Sequence, residues 1–248
     1  MPPNPRNQPE QQAPPVQRLR IRYAKRGRLR FTSHRDFSRA FERALFRARV
    51  PMAYSSGFSP HPRISYAGAS PTGAASEAEY LEIGLAARLD PAVVRRELDA
   101  SLPDGLDVLE VVESAGGSLA DRLEASVWEI TLTGVDPAEL AAAVEQVLAT
   151  AEVPVERMTK KGLRTFDARA AIVSLQAGPG GESENDGRTC AILQVVLRHG
   201  TPSVRPDDVL AALREVAGIS TGPAALAQRL AQGPLDPRTG TVGDPLSP

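Results

Sequence analysis

Apolar and charged residues alternate in the first ordered part of the chain. Between residues 18 and 23 the apolar positions are Leu19, Ile21 and Tyr23, and arginine occupies every position between them. A period of two is typical of a strand with one buried face. Leu29 and Phe31 alternate with arginines in the same way after a basic Lys-Arg-Gly-Arg turn. The sequence therefore predicts a β-hairpin over about 18–31.

A helix is predicted from about His34 to Arg49. Its apolar residues fall on one face: Phe37, Ala40, Phe41, Ala44, Leu45 and Ala48. Arginine recurs every four residues on another face, at Arg35, Arg39, Arg43 and Arg47. Ser33 followed by Asp36 is a helix-start signature, and Pro51 ends the helix.

The hairpin and helix above begin a strand–helix–strand–helix–strand order, which recurs in the second half of the chain. Strands are predicted at 52–54, 64–66, 79–85 and 106–112, with a helix starting at Asp90-Pro91. A second series has strands at 127–133, 153–158, 171–175 and 190–198, with helices after Asp136-Pro137 and at 205–216. This order predicts an α+β fold of two tandem ferredoxin-like (split βαβ) units, at 18–114 and 119–218.

The two ends are predicted to be largely disordered. Residues 1–17 are rich in Pro, Gln and Asn, and 219–248 combines one short helical pattern at 224–231 with a Gly/Pro/Asp-rich tail. The chain has no apolar signal region and no stretch of roughly 18 apolar residues that would span a bilayer, so we expect a cytoplasmic protein. The single cysteine, Cys190, excludes an internal disulfide framework and a cysteine-cluster metal site.

Positive charge is concentrated near the N-terminus. The whole chain has 29 Lys/Arg and 30 Asp/Glu, but residues 18–66 contain thirteen Lys/Arg and only Asp36 and Glu42 as acids. Such a block indicates a polyanion partner, most commonly nucleic acid, although a solvated charged face is the alternative. The predicted nucleic-acid-binding residues are Arg28, Arg30, His34, Arg35, Arg39, Arg43, Arg47 and Arg63, together with Lys160 and Lys161 of a second basic turn.

A loop between residues 54 and 66 is the densest candidate site. Gly57 permits backbone angles closed to other residues, and Pro60 and Pro62 hold His61 between stiff neighbours. The predicted loop pocket consists of Tyr54, Gly57, Phe58, His61, Arg63 and Tyr66. The alternative is a proline-rich loop in which His61 only satisfies a backbone carbonyl.

Catalysis is a weaker prediction. His34 and His61 could act as the acid and base of a metal-independent ribonuclease, but no spacing fixes the distance between them. We assign no other catalytic residue. No metal site is expected, because no His, Cys, Asp and Glu cluster has metal-ligand spacing.

Four sequence blocks resemble one bacterial family. They are Arg30-Phe31-Thr32-Ser33-His34-Arg35-Asp36, Arg49-Val50-Pro51-Met52-Ala53-Tyr54-Ser55, Gly57-Phe58-Ser59-Pro60-His61-Pro62-Arg63-Ile64 and Ser76-Glu77-Ala78-Glu79-Tyr80. The chain resembles the radical-SAM-associated family of unknown function, in its stand-alone form. The resemblance implies a radical SAM protein as partner. That enzyme would use S-adenosylmethionine and an iron–sulfur cluster, and this chain would bind no cofactor itself.

Charge and resemblance together define the expected function. We expect a non-catalytic accessory protein that binds structured RNA, either tRNA or ribosomal RNA, and presents it to a radical SAM enzyme. The ribonuclease is one alternative. The other is a structural adaptor whose basic face docks on an acidic protein surface.

Overall fold

The chain divides into two compact units. The computed structural model describes residues 11–159, 162–182, 187–221 and 225–247. The first unit comprises Met1–Ala120 together with Leu246–Pro248, and the second is Asp121–Pro245. Helices and strands alternate in both, so the predicted α+β class is confirmed. Within these described ranges, no helix combines the length and apolar character that crossing a membrane requires.

The first unit is an antiparallel sheet with two α-helices. Its elements are β1 (Gln17–Lys25), α1 (His34–Arg47), β2 (Ile64–Ala67), β3 (Ala75–Leu85), α2 (Pro91–Asp99) and β4 (Val108–Glu113). β1 pairs with both β3 and β4, and β2 pairs with β3, which gives the strand order β4-β1-β3-β2. The predicted helix is confirmed as α1, which ends at Arg47.

The core of this unit lies between α1 and one face of the sheet. Leu19 and Ile21 of β1 are fully buried in one cluster with Phe37 and Phe41 of α1. The Tyr23 ring stacks on Phe37 with 4.5 Å between ring centroids. Because neighbouring strand residues point to opposite faces, the arginines of β1 lie on the face of the sheet turned away from α1.

The predicted return strand of the hairpin is wrong. Residues Gly27–Phe31 form a 3₁₀ helix, which Gly27 enters with a φ of 52°. The physical reason is that β1 has no free edge: β3 occupies one side and β4 the other. Its end is also paired, since the Arg26 amide donates to the Gly105 carbonyl oxygen at 2.8 Å. The strand predicted at 52–54 is reduced to two isolated bridges, Met52 with Leu85 and Tyr54 with Pro62.

The second unit repeats the antiparallel arrangement with an inserted hairpin. Its elements are β5 (Ala125–Thr133), α3 (Pro137–Ala149), β6 (Pro154–Thr159), β7 (Gly162–Asp167), β8 (Ile172–Glu182), β9 (Thr189–Arg198), α4 (Pro206–Ala217) and β10 (Leu226–Gly233). β5 pairs with β9 and β10, and β8 pairs with β9, so the order is β10-β5-β9-β8. Among the strands of the described residues, β6 and β7 pair only with each other.

The helix starts predicted from Asp-Pro pairs are confirmed. The Asp90 carboxylate accepts the Ala92 amide at 2.9 Å, and the Asp136 carboxylate accepts the Ala138 amide at 2.7 Å. In each helix proline occupies the first turn, where no backbone donor is needed.

The C-terminal region differs from the sequence-based prediction. Where a short helix and a disordered tail are predicted, β10 forms seven register pairs with β5. The Arg229 guanidinium lies 5.3 Å from the Trp128 ring centroid, and Gln232 is fully buried. At the other end, Gln17 already belongs to β1. Packing against neighbouring strands therefore overrides the local preference of this segment.

Candidate nucleic-acid interface

The arginines of β1 are bound to the protein's own oxygen atoms. Arg20 is 1 % exposed; its Nε donates to Glu82 at 3.1 Å, and one terminal nitrogen donates to the carbonyl oxygens of Gly116 (2.6 Å) and Gly117 (3.0 Å). Arg18 also pairs with Glu82 at 3.1 Å, although its side chain is 59 % exposed. The β1 arginines therefore act first as structural cations.

Glu82 is the anion at the centre of this network. Burial alone would raise the pKa of its carboxyl, but hydrogen bonds from Ser114, Arg20 and Arg18 outweigh that effect and hold the pKa below its ordinary value. Glu82 is thus a charged, satisfied group with little capacity for another cation.

Two further basic residues at this end of β1 are also engaged. The Arg22 Nε donates to the Glu77 carbonyl oxygen at 2.8 Å. Arg26 pairs with the carboxylates of Glu77 and Asp107, and its hydrogen bonds to Glu77 raise the pKa of its guanidinium. Both cations thus already have acceptors within the protein, although the Arg26 side chain remains 46 % exposed.

The arginines of α1 are in a different situation. Arg35, Arg39 and Arg43 are exposed, and none of them makes a hydrogen bond or ion pair with any residue that the structure describes. Arg47 donates to the Ser101 carbonyl oxygen at 2.7 Å. Successive turns of α1 carry these side chains on one solvent-facing surface, which we call the α1 basic face (Arg35, Arg39, Arg43 and Arg47).

An exposed aromatic ring lies within the α1 basic face. Phe46 is 85 % exposed, and it follows Arg39 and Arg43 by seven and three residues, so it occupies the same side of the helix. Side chains of Arg39, Arg43, Phe46 and Arg47 border an open concavity of about 550 Å³. The sequence reasoning missed Phe46; its signal was an apolar residue on the polar face of an amphipathic helix.

His34 begins α1 and lies against Tyr66 of β2. The two rings meet edge-on with 4.8 Å between centroids. Burial raises the pKa of the Tyr66 hydroxyl; the nearby Ser38 lowers it and the charge of Glu42 adds to the rise. The Ser38 hydroxyl itself donates to the His34 carbonyl oxygen at 2.9 Å. The helix start is already capped, because the Ser33 hydroxyl accepts the Asp36 amide at 3.2 Å.

The loop at 54–63 is closed by hydrogen bonds at its base. The Ser55 amide donates to the His61 carbonyl oxygen at 2.9 Å, and the His61 amide donates to the Ser55 hydroxyl oxygen at 3.0 Å. The Arg63 Nε donates to the Tyr54 carbonyl oxygen at 3.0 Å. Gly57 has a φ of 137°, and Phe58 beside it is 83 % exposed.

The structure separates His61 from His34. His61 and Arg63 line a pocket with Arg18 and Glu82, which face away from α1. Tyr66, which contacts His34, packs instead into the core between the sheet and α1. The two imidazoles therefore lie on opposite faces of the sheet. The predicted loop pocket is divided in the same way, with His61 and Arg63 on one face and Tyr66 on the other.

The other predicted contacts are dispersed. Arg28 is exposed in the 3₁₀ helix, and the Arg30 guanidinium lies 4.7 Å from the Phe31 ring centroid. Lys160 and Lys161 lie outside the described residues. In the same hairpin, Arg157 pairs with the buried Asp208 and lies 4.9 Å from the Phe166 ring centroid, so it braces the second unit.

The third histidine, His199, is engaged in hydrogen bonds within the second unit. His199 is half-buried, with Nδ1 2.7 Å from the Leu123 carbonyl oxygen and Nε2 3.1 Å from the Ser126 hydroxyl oxygen. Burial lowers the pKa of its imidazole. Among the described residues, no three His, Cys, Asp or Glu side chains are grouped to hold a metal ion.

Similarity to solved structures is weak. An unknown protein from Galdieria sulphuraria is 16% identical over 86% of this chain and 98% of its own, with a TM-score of 0.25. The encapsulated DyP-type peroxidase from Mycobacterium smegmatis is 11% identical over 91% of this chain and 94% of its own, with a TM-score of 0.21. DyPB from Rhodococcus jostii RHA1 is 12% identical over 90% of this chain and 92% of its own, with a TM-score of 0.18. Scores this low support no argument about this chain.

A comparison with protein-family models identifies the family of this chain. A search of the curated proteins finds no match. A family model described as "Uncharacterized protein conserved in bacteria (DUF2344)" matches residues 18–206, which include all of the first unit's helices and strands from Arg18 onward and most of the second unit's. The chain therefore belongs to the bacterial DUF2344 family.

Proposed function

We propose that this protein binds structured RNA, either tRNA or ribosomal RNA, through the α1 basic face. The observation that supports the proposal most is the contrast in pairing: Arg35, Arg39 and Arg43 have no acceptor among the described residues, whereas the β1 arginines do. Unpaired, exposed guanidinium groups retain their capacity for bidentate contacts with phosphate.

Phe46 adds a second kind of contact. Proteins that bind single-stranded nucleic acid combine a basic track with aromatic side chains on which bases stack. Phe46 is 85 % exposed beside Arg43, where a loop base of a folded RNA would have access to its ring. Phosphates would contact the arginines while an unstacked base covers the phenyl ring.

We further propose that the RNA is presented to a radical SAM enzyme. This part of the proposal rests on the sequence resemblance of the 30–36, 49–55, 57–64 and 76–80 blocks. The partner would supply the S-adenosylmethionine and the iron–sulfur cluster, because a single cysteine in this chain cannot ligate such a cluster alone.

Binding of a fluorescent tRNA to the purified chain tests the RNA proposal. The triple variant Arg35→Gln/Arg39→Gln/Arg43→Gln should weaken binding by about tenfold or more, since each lost phosphate contact lowers affinity. The matched control is Arg88→Gln/Arg95→Gln/Arg96→Gln, which removes the same charge from arginines that have described partners. An equal loss of tRNA affinity in the α1 triple variant and in the control variant would contradict a specific α1 interface.

Partnership requires a separate experiment. The radical SAM protein should co-purify with this chain, and nuclease treatment should weaken the association if RNA bridges the two. An association that survives nuclease treatment but is lost in the α1 triple variant would favour the structural adaptor instead.

The separation of the imidazoles argues against the ribonuclease alternative. General acid–base catalysis needs both groups within hydrogen-bond reach of one substrate, directly or through one water. The placement of His34 and His61 on opposite faces of a sheet supports the non-catalytic proposal over an acid–base pair made of these two residues. The non-catalytic accessory is accordingly the preferred function.

We also propose that each unit is a split βαβ (ferredoxin-like) unit. The support is topological: taken in chain order, the sheet strands of each unit are arranged fourth, first, third, second, with a helix after the first and the third. The β6–β7 hairpin would then be an insertion in the second unit.

A further inference from the structure

The face of the first sheet that is turned away from α1 contains a polar pocket. Its lining includes Arg18, His61, Arg63, Ser65 and Glu82, and its volume is about 280 Å³. Pockets for drug-sized ligands span roughly 300–1,000 Å³. This one is therefore suited to a small ligand or to a single functional group of a larger one.

Its charge favours an anion. Glu82 is the single carboxylate among the described lining residues, and Arg18, Arg20 and Ser114 already donate to it. A ligand cation would have to compete with these three donors for the carboxylate. Three guanidinium groups (Arg18, Arg20 and Arg63) face one carboxylate, so the surroundings of the pocket keep a net positive charge.

The Arg63 guanidinium is held in place by one hydrogen bond, and within the part of the chain that the structure describes its terminal nitrogens remain free to donate to a ligand. Its Nε is fixed by the Tyr54 carbonyl oxygen at 3.0 Å, while neither terminal nitrogen has a partner among the described residues. A guanidinium held in this way can offer two parallel N–H donors to one oxyanion. Arg18 donates to Glu82 through one terminal nitrogen, and its side chain remains 59 % exposed.

The pocket is built before any ligand arrives. The reciprocal Ser55–His61 hydrogen bonds hold His61 at the rim. Gly84 lies directly beneath, where a Cβ atom would approach Pro15 Cβ to 3.0 Å and Arg63 Cβ to 3.3 Å. A glycine is thus needed for the segment before β1 and Arg63 to cross this part of the sheet. Pre-ordered donors lower the entropy cost of binding.

We propose that this pocket is a binding site for a phosphomonoester group, with Arg63 as the bidentate donor and Arg18 and His61 completing the cradle. The group could belong to a small phosphorylated compound or to the 5′ end of an RNA. The site goes beyond the RNA interface proposed above, because none of its residues belongs to α1.

Calorimetric titration of the full chain with inorganic phosphate and with adenosine 5′-monophosphate tests the site. Arg63→Gln should weaken binding of both by about tenfold or more, which is the usual scale for a charge-assisted bidentate contact. Arg18→Gln should also weaken binding, and it leaves the Arg63–Tyr54 brace intact. The triple α1 variant should bind both compounds as the wild type does. Melting temperatures identify any variant that has lost its fold.

Two outcomes would overturn the proposal: no binding of either compound at millimolar concentration, or wild-type affinity in both Arg18→Gln and Arg63→Gln. A 5′-phosphorylated RNA oligonucleotide that binds more tightly than its 5′-hydroxyl form, with the difference lost in Arg63→Gln, identifies an RNA end as the ligand. Binding of adenosine 5′-monophosphate without that difference identifies a small phosphorylated compound. Both results are independent of whether α1 binds RNA.

Discussion

The first unit contains two sets of arginines that are close in sequence and opposite in role. Those of β1 lie on the sheet face turned away from α1, where Arg20 is 1 % exposed and Glu82 binds two guanidinium groups. Those of α1 face solvent, where Arg39 and Arg43 have no described acceptor. The difference arises from the strand and helix periods, since alternation places every β1 arginine on a sheet face while a four-residue repeat keeps arginines on one helix side.

The comparison teaches that a count of charges along a sequence overstates the charge available to a partner. Thirteen Lys/Arg residues lie between 18 and 66. Arg18, Arg20, Arg22 and Arg26 all have acceptors within the protein. The expected single basic surface is therefore divided into a paired set on and beside β1 and a set on α1 in which Arg35, Arg39 and Arg43 have no described acceptor.

The largest expected effect comes from removing a paired arginine. Arg20→Ala should lower the free energy of unfolding by about 3–5 kcal/mol, because it leaves Glu82 with a buried charge and two backbone carbonyls without their donor. Urea denaturation measures this change. A loss below about 1 kcal/mol would show that Arg20 is no more structural than the arginines of α1.

The next effect concerns the ring on the α1 basic face. Phe46→Ala should weaken RNA binding by about 1–3 kcal/mol if one base stacks there, with the fold unaffected because the ring is 85 % exposed. Val93→Ala is the control, since Val93 is an exposed apolar residue of α2 in the same unit. Equal affinities for Phe46→Ala and wild type would restrict the interface to phosphate contacts.

The paired set should also make stability depend on pH. Hydrogen bonds and ion pairs hold the pKa of Glu82 below its ordinary value despite burial. A lowered folded-state pKa means that the contribution is complete above the unfolded value, roughly 4.3, and is lost as the pH falls below it. Unfolding of wild type and Glu82→Gln at pH values from 7 to 3 should therefore converge in acid. Parallel curves would contradict a role for Glu82 in this dependence.

The smallest change in stability is expected when an exposed arginine of α1 without a described partner is replaced. Arg39→Gln should change the free energy of unfolding by no more than about 0.5 kcal/mol, because exposed helix positions contribute little and neighbouring arginines repel weakly. The same urea measurement applies. A loss comparable with that of Arg20→Ala would mean that Arg39 has a structural partner.

Much of the fold could be predicted from local signals. α1, the Asp90 and Asp136 caps and most strands follow from periodicity and helix-start chemistry. The failures depend on contacts distant in sequence. Residues 29–31 have a strand pattern, but β3 and β4 occupy both sides of β1. β10 has a helical composition, and only its pairing with β5 makes it a strand.

The candidate site was less predictable than the fold, because it too depends on contacts between residues distant in sequence. The arginine stripe of α1 follows directly from a four-residue period. The burial of Arg20 does not, because it depends on Glu82 and on the chain near Gly116. Similarly, His34 and His61 each stand out in sequence, but their placement on opposite faces of the sheet depends on the pairing of β2 with β3.

The most direct test of the account is the salt dependence of tRNA affinity. A plot of log K against log salt concentration should be shallower by about 2–3 for Arg35→Gln/Arg39→Gln/Arg43→Gln than for wild type, since each lost phosphate contact removes roughly 0.7–0.9 from the slope. The slope of the Arg88→Gln/Arg95→Gln/Arg96→Gln control should match that of wild type. An unchanged slope in the α1 variant would show that the unpaired arginines do not contact phosphate and would contradict the account.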